Sequence, residues 1–260
     1  MIDLFKLRID QGRQYIEELA QASPAPAFHG LPLLDGEKCT RCAECISSCP
    51  TGAISLDPLK IDLGACTFCG ACARSCPEGA ITFTSEHRLS ATSREALVVT
   101  AGMKSEEYVQ TAIRPRNELK GLFGRSLRIR SVSAGGCNAC ELELAAITNV
   151  NFDAGRYGIE ITASPRHADV IVISGPVTER MALPLEKTIL ATPEPRLIVL
   201  FGACAISGGV FSGSPELDRG VLSRYRPDLF VPGSPPHPLT MIDGLVRLVG
   251  RRRADPKRAS

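Results

Sequence analysis

The chain has 260 residues, with 30 Lys+Arg against 28 Asp+Glu, 44% hydrophobic, 22% charged, 11 Cys and no Trp. That apolar content excludes a disordered chain. A net charge of +2 with 5% aromatic residues removes the basic surface and stacking platforms of a general nucleic-acid binder. The run Leu197–Ile206 is ten apolar or small residues ahead of Ser207-Gly208-Gly209, half of the roughly 20 a membrane helix needs. It reads as a buried strand entering a glycine turn. Asp3, Lys6, Arg8 and Asp10 interrupt the first apolar stretch, so no secretory signal is expected there. The cysteines then belong to a reducing compartment, where metal ligation is favoured over disulfides.

In chain order, residues 1–22 read as one amphipathic helix through Leu4, Leu7, Tyr15 and Leu19, ended by Ser23-Pro24-Ala25-Pro26. Residues 36–84 hold an internal repeat of period 27. Cys39-Thr-Arg-Cys42-Ala-Glu-Cys45-Ile-Ser-Ser-Cys49-Pro50 aligns with Cys66-Thr-Phe-Cys69-Gly-Ala-Cys72-Ala-Arg-Ser-Cys76-Pro77, and a short apolar strand follows each copy. Residues 101–130 carry seven Lys/Arg against three Asp/Glu, so Arg114–Arg128 forms a basic connector. Beyond 126 the apolar runs Leu127–Val132, Ile159–Ala163, Val170–Ile173 and Leu197–Phe201 alternate with helices over 138–150 and 179–192. Unbroken Val/Ile/Leu runs mark strands covered on both faces, which predicts an α/β flavodoxin-like parallel sheet. Residues 238–250 read as a core helix through Ile242, Leu245, Val246 and Val249, and 251–260 as a solvated basic tail.

Each repeat copy is C-x2-C-x2-C-x3-C-P. Three cysteines two residues apart wrap one iron–sulfur cube, and the fourth reaches across to the other cube. The crosswise sets are Cys39, Cys42, Cys45 and Cys76, and Cys66, Cys69, Cys72 and Cys49. Two four-cysteine zinc sites are the alternative, but those favour paired C-x2-C units with long spacers. The motif resembles a bacterial-type ferredoxin with two 4Fe-4S clusters, an α+β fold that passes single electrons and has no substrate pocket.

The remaining cysteines lie in Gly135-Gly-Cys137-Asn-Ala-Cys140-Glu-Leu-Glu143 and Gly202-Ala-Cys204-Ala-Ile-Ser-Gly-Gly209. Each loop follows a predicted strand, and the carboxyl ends of parallel strands form the ligand-binding edge of such sheets. Taken alone, Cys-x2-Cys is weak and a lone Cys204 suits a core. However, these loops, with Ser164-Pro-Arg-His-Ala-Asp-Val170, Ile173-Ser-Gly-Pro-Val-Thr178 and Pro232-Gly-Ser-Pro-Pro-His-Pro238, resemble the small-subunit family shared by complex I (its 20-kDa subunit) and energy-converting nickel–iron hydrogenases. The Cys-x2-Cys spacing resembles the formate hydrogenlyase-type branch. The first half, with His29-Gly-Leu-Pro32, is similar to the ferredoxin-like subunit of those complexes, as though two neighbouring subunits had fused.

The resemblance implies a third 4Fe-4S cluster on Cys137, Cys140, Cys204 and a fourth position that is Ser234 here. Oxygen is a harder ligand than thiolate. The outcomes are therefore a cluster with Ser234 or another oxygen, a cube short of one iron, or no cluster, and His237 offers a nearby imidazole. A bound cluster is the expectation taken.

The resemblance also suggests proton transfer for Glu141, whereas acidic residues in a first helical turn ordinarily serve the helix dipole. Arg166 and His167 correspond to residues near the quinone pocket of complex I, with a structural loop as the plainer reading. No phosphate-binding glycine motif is present, so no nucleotide is expected.

The expected organisation is an N-terminal helix and linker (1–30), a two-cluster ferredoxin domain (31–100), a basic connector (101–125), a small-subunit-like domain (126–250) and a basic tail (251–260). The expected role is electron transfer in an oxidoreductase complex. The implied partners are a large nickel–iron hydrogenase-like subunit and membrane-embedded complex I-like subunits, which would hold the chain on the cytoplasmic face. The alternatives are an adaptor that has lost its third cluster and a quinone-linked relay.

Overall fold

The computed structural model describes residues 2–12, 15–123 and 126–250, which leaves the basic tail and Gly124 and Arg125 of the connector outside the described residues. The single helix expected over 1–22 is shorter. Helix α1 (Ile2–Gln11) stops where Gly12 turns left-handed at φ +62°; residues 1, 13 and 14 of the expected helix lie outside the described residues, and among the described ones up to 22 a 3-10 turn, Leu19–Gln21, follows. Glycine ends helices this way because it has no Cβ to oppose that conformation.

The cysteine-rich half consists of short pieces: β1 (Pro32–Leu34), α2 (Glu44–Ser47), β2 (Ile54–Leu56), β3 (Leu59–Asp62), α3 (Ala71–Ser75), β4 (Ile81–Phe83) and β5 (Val98–Thr100). Strands β1 and β4 pair antiparallel, and β2-β3-β5 forms a second antiparallel sheet. The repeat is visible in the backbone. Arg41 and Phe68, at φ +58° and +55°, are equivalent left-handed positions inside the two cysteine loops. The Ser48 and Ser75 hydroxyls, also equivalent, meet at 2.9 Å between α2 and α3.

Two helices, α4 (Ser105–Ala112) and α5 (Asn117–Phe123), fill the basic connector and bury Tyr108, Ala112, Leu119 and Phe123. Tyr108 is 1% exposed, and its hydroxyl donates to the Leu89 carbonyl at 2.7 Å. Tyr108→Phe leaves that buried acceptor unpaired and is expected to cost about 1–3 kcal/mol of unfolding free energy in a denaturant titration. An unchanged midpoint would show that water reaches the carbonyl.

The second half is a five-stranded, wholly parallel sheet. It is built from β6 (Leu127–Ser133), α6 (Ala139–Ala146), β7 (Ile159–Ile161), β8 (Val170–Ser174), α7 (Glu179–Ala191), β9 (Leu197–Phe201), α8 (Ala203–Ser207), α9 (Gly220–Arg224), β10 (Leu229–Val231) and α10 (Pro238–Leu248). Its order, β10-β9-β8-β6-β7, is the 2-1-3-4-5 arrangement of flavodoxin-like sheets. Every residue of β8 and β9 is buried, as expected of strands covered on both faces. The edge strand β10 was not anticipated, because three residues are too few to give a pattern.

Alternation along the central strands sends side chains into two cores. Ile171, Ile173, Ile198 and Leu200 join α7 residues Leu185 and Ile189 and the cysteine-rich half in one continuous core. Val170, Val172, Leu197, Val199 and Phe201 pack with α6 and α10 in the other. Backbone bonds stitch the halves together. Ala91 and Phe230 exchange two N–H···O bonds of 3.0 and 2.8 Å, and the Ser90 hydroxyl donates to the Thr240 carbonyl at 2.8 Å. Among the described residues, no helix is long and apolar enough to cross a membrane.

Candidate metal centres

The chain brings the repeat cysteines together crosswise. Cys39, Cys42 and Cys45 share one small cavity with Cys76 of the other copy. Cys66, Cys69 and Cys72 share a second with Cys49. Three cysteines come from a loop whose left-handed residues curl it inward; the fourth arrives from the end of the partner repeat's helix. Main-chain N–H groups aim at the sulfurs: Ala53 to Cys49, Ala80 to Cys76 and Phe68 to Cys66, each at 3.3 Å. The first two pairs are again repeat equivalents.

Burial dominates the thiol chemistry. Desolvation, reinforced by neighbouring thiols, pushes Cys66 up to about 12 and Cys72 up to about 11. Thiolates clustered in such a place need a compensating cation, because desolvation and mutual repulsion both oppose them. Apolar walls, converging sulfurs and N–H donors aimed at them suit an iron–sulfur cube. Among the described residues no group of three or more His, Cys, Asp or Glu is set to hold a single metal ion; the thiols ring cavities instead. His29 braces the second loop, its Nδ1–H donating to the Phe68 carbonyl at 2.7 Å.

The other cysteines lie at the carboxyl edge of the parallel sheet. Cys137 and Cys140 follow β6, Cys204 follows β9, and Ser234 follows β10. The loops interlock where glycine alone fits. A Cβ on Gly202, at φ +96°, would lie 2.8 Å from the Cys140 sulfur, and one on Gly175, at φ +81°, 2.6 Å from the Gly136 nitrogen. Ala203 N–H donates to the Gly233 carbonyl at 2.8 Å, tying the Cys204 loop to the one carrying Ser234. Desolvation, with Glu141, Cys204 and Cys137 nearby, pushes Cys140 up to about 12; desolvation and Cys137 raise Cys204 against the opposing charge of Arg219.

Three thiols fit a cluster at this edge, and the fourth ligand is where the fit weakens. Ser234 is exposed and lines a pocket of about 190 Å³ with Phe28, His29, Phe68 and His237. The imidazole considered as a substitute is engaged elsewhere. His237 caps α10 by accepting the Leu239 N–H on Nδ1 at 3.2 Å, and its ring stands edge-on between Phe28 and Phe152.

Glu141 sits in the first turn of α6 with its carboxylate turned inward. Oε1 accepts the Ser174 hydroxyl at 2.6 Å, whereas Oε2 is buried without a hydrogen-bond partner. Burial would raise this carboxyl, but hydrogen bonds from Ser133 and Ser174 outweigh it and hold the acid low. Arg166 and His167 are exposed on a 3-10 turn before β8, at the end of the sheet away from the cysteine loops.

Sequence reasoning missed Arg219. Its guanidinium donates to the carbonyls of Pro176, Cys204, Ala205 and Ile206 at 2.8–3.2 Å. Nothing in Glu216-Leu-Asp-Arg-Gly220 signals this, because its partners are main-chain atoms more than ten residues away.

A family model described as "NADH ubiquinone oxidoreductase, 20 Kd subunit" matches residues 137–248, and one described as "4Fe-4S dicluster domain" matches residues 38–80. The chain is 38% identical over 130 residues to the probable membrane-bound hydrogenase subunit mbhJ of Pyrococcus furiosus, covering 50% of this chain and 77% of that protein. It is 36% identical over 126 residues to formate hydrogenlyase subunit 7 of Escherichia coli, covering 48% and 49% respectively. Against NAD(P)H-quinone oxidoreductase subunit K of Picosynechococcus the figures are 40% over 114 residues, 44% and 47%. With its cysteine loops on the carboxyl edge of a five-stranded parallel sheet, and a 4Fe-4S domain joined ahead of it, the chain belongs to the family of the 20-kDa subunit of NADH–ubiquinone oxidoreductase.

Proposed function

We propose that the protein is an iron–sulfur electron-transfer subunit of a membrane-bound hydrogenase- or complex I-related assembly, with three cluster sites in one chain. Cys39, Cys42, Cys45 and Cys76 hold the first cluster and Cys66, Cys69, Cys72 and Cys49 the second. Cys137, Cys140 and Cys204, with Ser234 at the remaining corner, hold the third. When bound, each cluster supplies a one-electron carrier. The chain supplies the thiolates, the N–H groups directed at them and the apolar walls that keep water away.

One observation carries this reading. Gly64, two residues before Cys66, packs so tightly on Ile206, two residues after Cys204, that a Cβ on the glycine would lie 2.7 Å from the isoleucine Cγ2. The second and third sites are therefore joined by a continuous protein seam rather than a flexible linker. The crosswise repeat couples the first site to the second, because Cys49 and Cys76 directly follow Ser48 and Ser75, whose hydroxyls meet at 2.9 Å.

The unit of 31–100 carries the first two sites, and 126–250 carries the third. The third site faces a large catalytic subunit of the nickel–iron hydrogenase type. Exposed Cys137 is followed by Leu142, 64% exposed, and Phe211, 45% exposed, lies beyond the Cys204 loop; this apolar edge suits burial by a partner. Partner subunits of the membrane-embedded kind hold the assembly at the inner face of the cell membrane. Glu141, with its unsatisfied Oε2, is the group placed to exchange a proton beside the third site.

Anaerobic purification with iron and sulfide analysis, followed by electron paramagnetic resonance on dithionite reduction, tests the reading. About twelve irons and three signals are expected. About eight irons and two signals would reduce the second half to an adaptor, and zinc in place of iron would end the electron-transfer reading.

A further inference from the structure

Arg219 is half-buried, and among the described residues no carboxylate pairs with it. Its four hydrogen-bond acceptors are the carbonyls of Pro176, Cys204, Ala205 and Ile206. Those carbonyls belong to the two segments that frame the third site. Pro176 follows Gly175, which abuts Gly136 of the Cys137 loop, and Cys204 to Ile206 form the other ligand loop. Arg94 reaches the same seam, against Gly64 and within electrostatic range of Arg219. Its charge is offset by a two-armed pairing with Asp62. Among the described residues of the seam, Arg219 is the cation without a paired carboxylate.

A fixed positive charge stabilises whichever redox state carries more negative charge, and one-electron reduction makes a cluster more negative by one unit. In a half-buried place that charge is weakly screened. We propose that Arg219 sets the potential of the third cluster, its guanidinium acting through the Cys204 loop to favour the reduced form. The proposal rests on the reading above and adds a residue that the cysteine pattern does not contain. A structural part for the same side chain, capping the carbonyls of α8, would make no demand on its charge, and this separates the two roles.

The test is a potentiometric titration of the full chain with dithionite as reductant, followed by paramagnetic resonance, with iron counted on each sample. Arg219→Gln is expected to lower the equilibrium constant for one-electron reduction of the third cluster about tenfold, which is about 59 mV for a single electron. The first cluster should stay in place, and Arg219→Lys, which keeps the charge, should stay within threefold of the parent. A third midpoint that does not move, a lysine variant displaced as far as the glutamine one, or an equal displacement of all three signals would overturn the proposal.

Should glutamine empty the third site, Asp62→Asn decides from the other side of the seam. It uncovers the charge of Arg94 and is expected to raise the second and third midpoints, and unchanged midpoints overturn the proposal. Wild-type protein with about eight irons and no third signal defeats the underlying reading and the proposal together. A full iron complement with an immobile potential defeats only the latter.

Discussion

Stripping iron from the protein with a chelator under mild oxidation is expected to unfold the cysteine-rich half and leave the parallel sheet standing. The elements that carry the first two sites are three to five residues long, and the cysteines themselves supply much of what packs between them: Cys45, Cys66 and Cys72 are members of the buried core. Elements this short do not persist on their own propensity. Removing the clusters leaves buried thiols, about 12 for Cys66, around cavities with nothing to bridge them. By contrast, β8 and β9 are buried on both faces and keep their second core against α6 and α10. Hydrogen exchange should show opening free energies in 54–62 and 81–83 falling by on the order of 5 kcal/mol. Those in 170–174 and 197–201 should change by about 1 kcal/mol or less. Undiminished protection across the first half would mean that packing, not ligation, holds it.

Ser234→Cys is expected to slow the loss of iron from the third site by more than the 10- to 100-fold that changing an outer-shell partner typically produces. The substitution exchanges an oxygen for a sulfur on a loop already anchored by the Ala203–Gly233 hydrogen bond and followed by the aromatic-bracketed His237. The backbone therefore has no reason to move. Sulfur is the softer donor and its thiolate forms at far lower pH than an alkoxide, so the fourth corner gains affinity without a new fold. Timed iron release to a coloured chelator reads the effect, with the signals of the first two clusters as internal controls. Equal release from parent and variant would show that residue 234 does not face the cluster. His237→Phe, in the same assay, is expected to leave iron retention alone, because the imidazole is occupied with the α10 cap.

Much of the architecture is legible in particular residues. The period of 27 between the cysteine motifs reappears as paired left-handed positions, paired N–H···S contacts and the Ser48–Ser75 contact, because the same local geometry recurs wherever the same small and polar residues recur. The runs at 170–173 and 197–201 became central strands buried on both faces, whereas 127–132 alternates between buried and exposed positions and 159–163 became a partly exposed edge strand. The initial helix was over-read: its apolar spacing continues past Gly12, but the backbone does not. The strand Leu229–Val231 escaped notice because it contributes three residues and owes its place to pairing with β9. The connector looked like a basic bridge by charge, while its fold depends on Tyr108, Leu119 and Phe123, whose burial charge counting does not see.

The chain by itself determined which cysteines gather crosswise around each cavity, and the parallel-sheet class. These depend on spacing along the backbone, and short-range sterics enforce spacing whatever lies beyond. Tertiary structure alone decided that Gly64 abuts Ile206, that His237 is committed to a helix cap, and that, among the described residues, an arginine from an uninformative loop stands without a paired carboxylate beside Cys204. Each of these is a meeting of groups far apart in sequence, and charge and contact act through space, where the order of residues carries no record of distance.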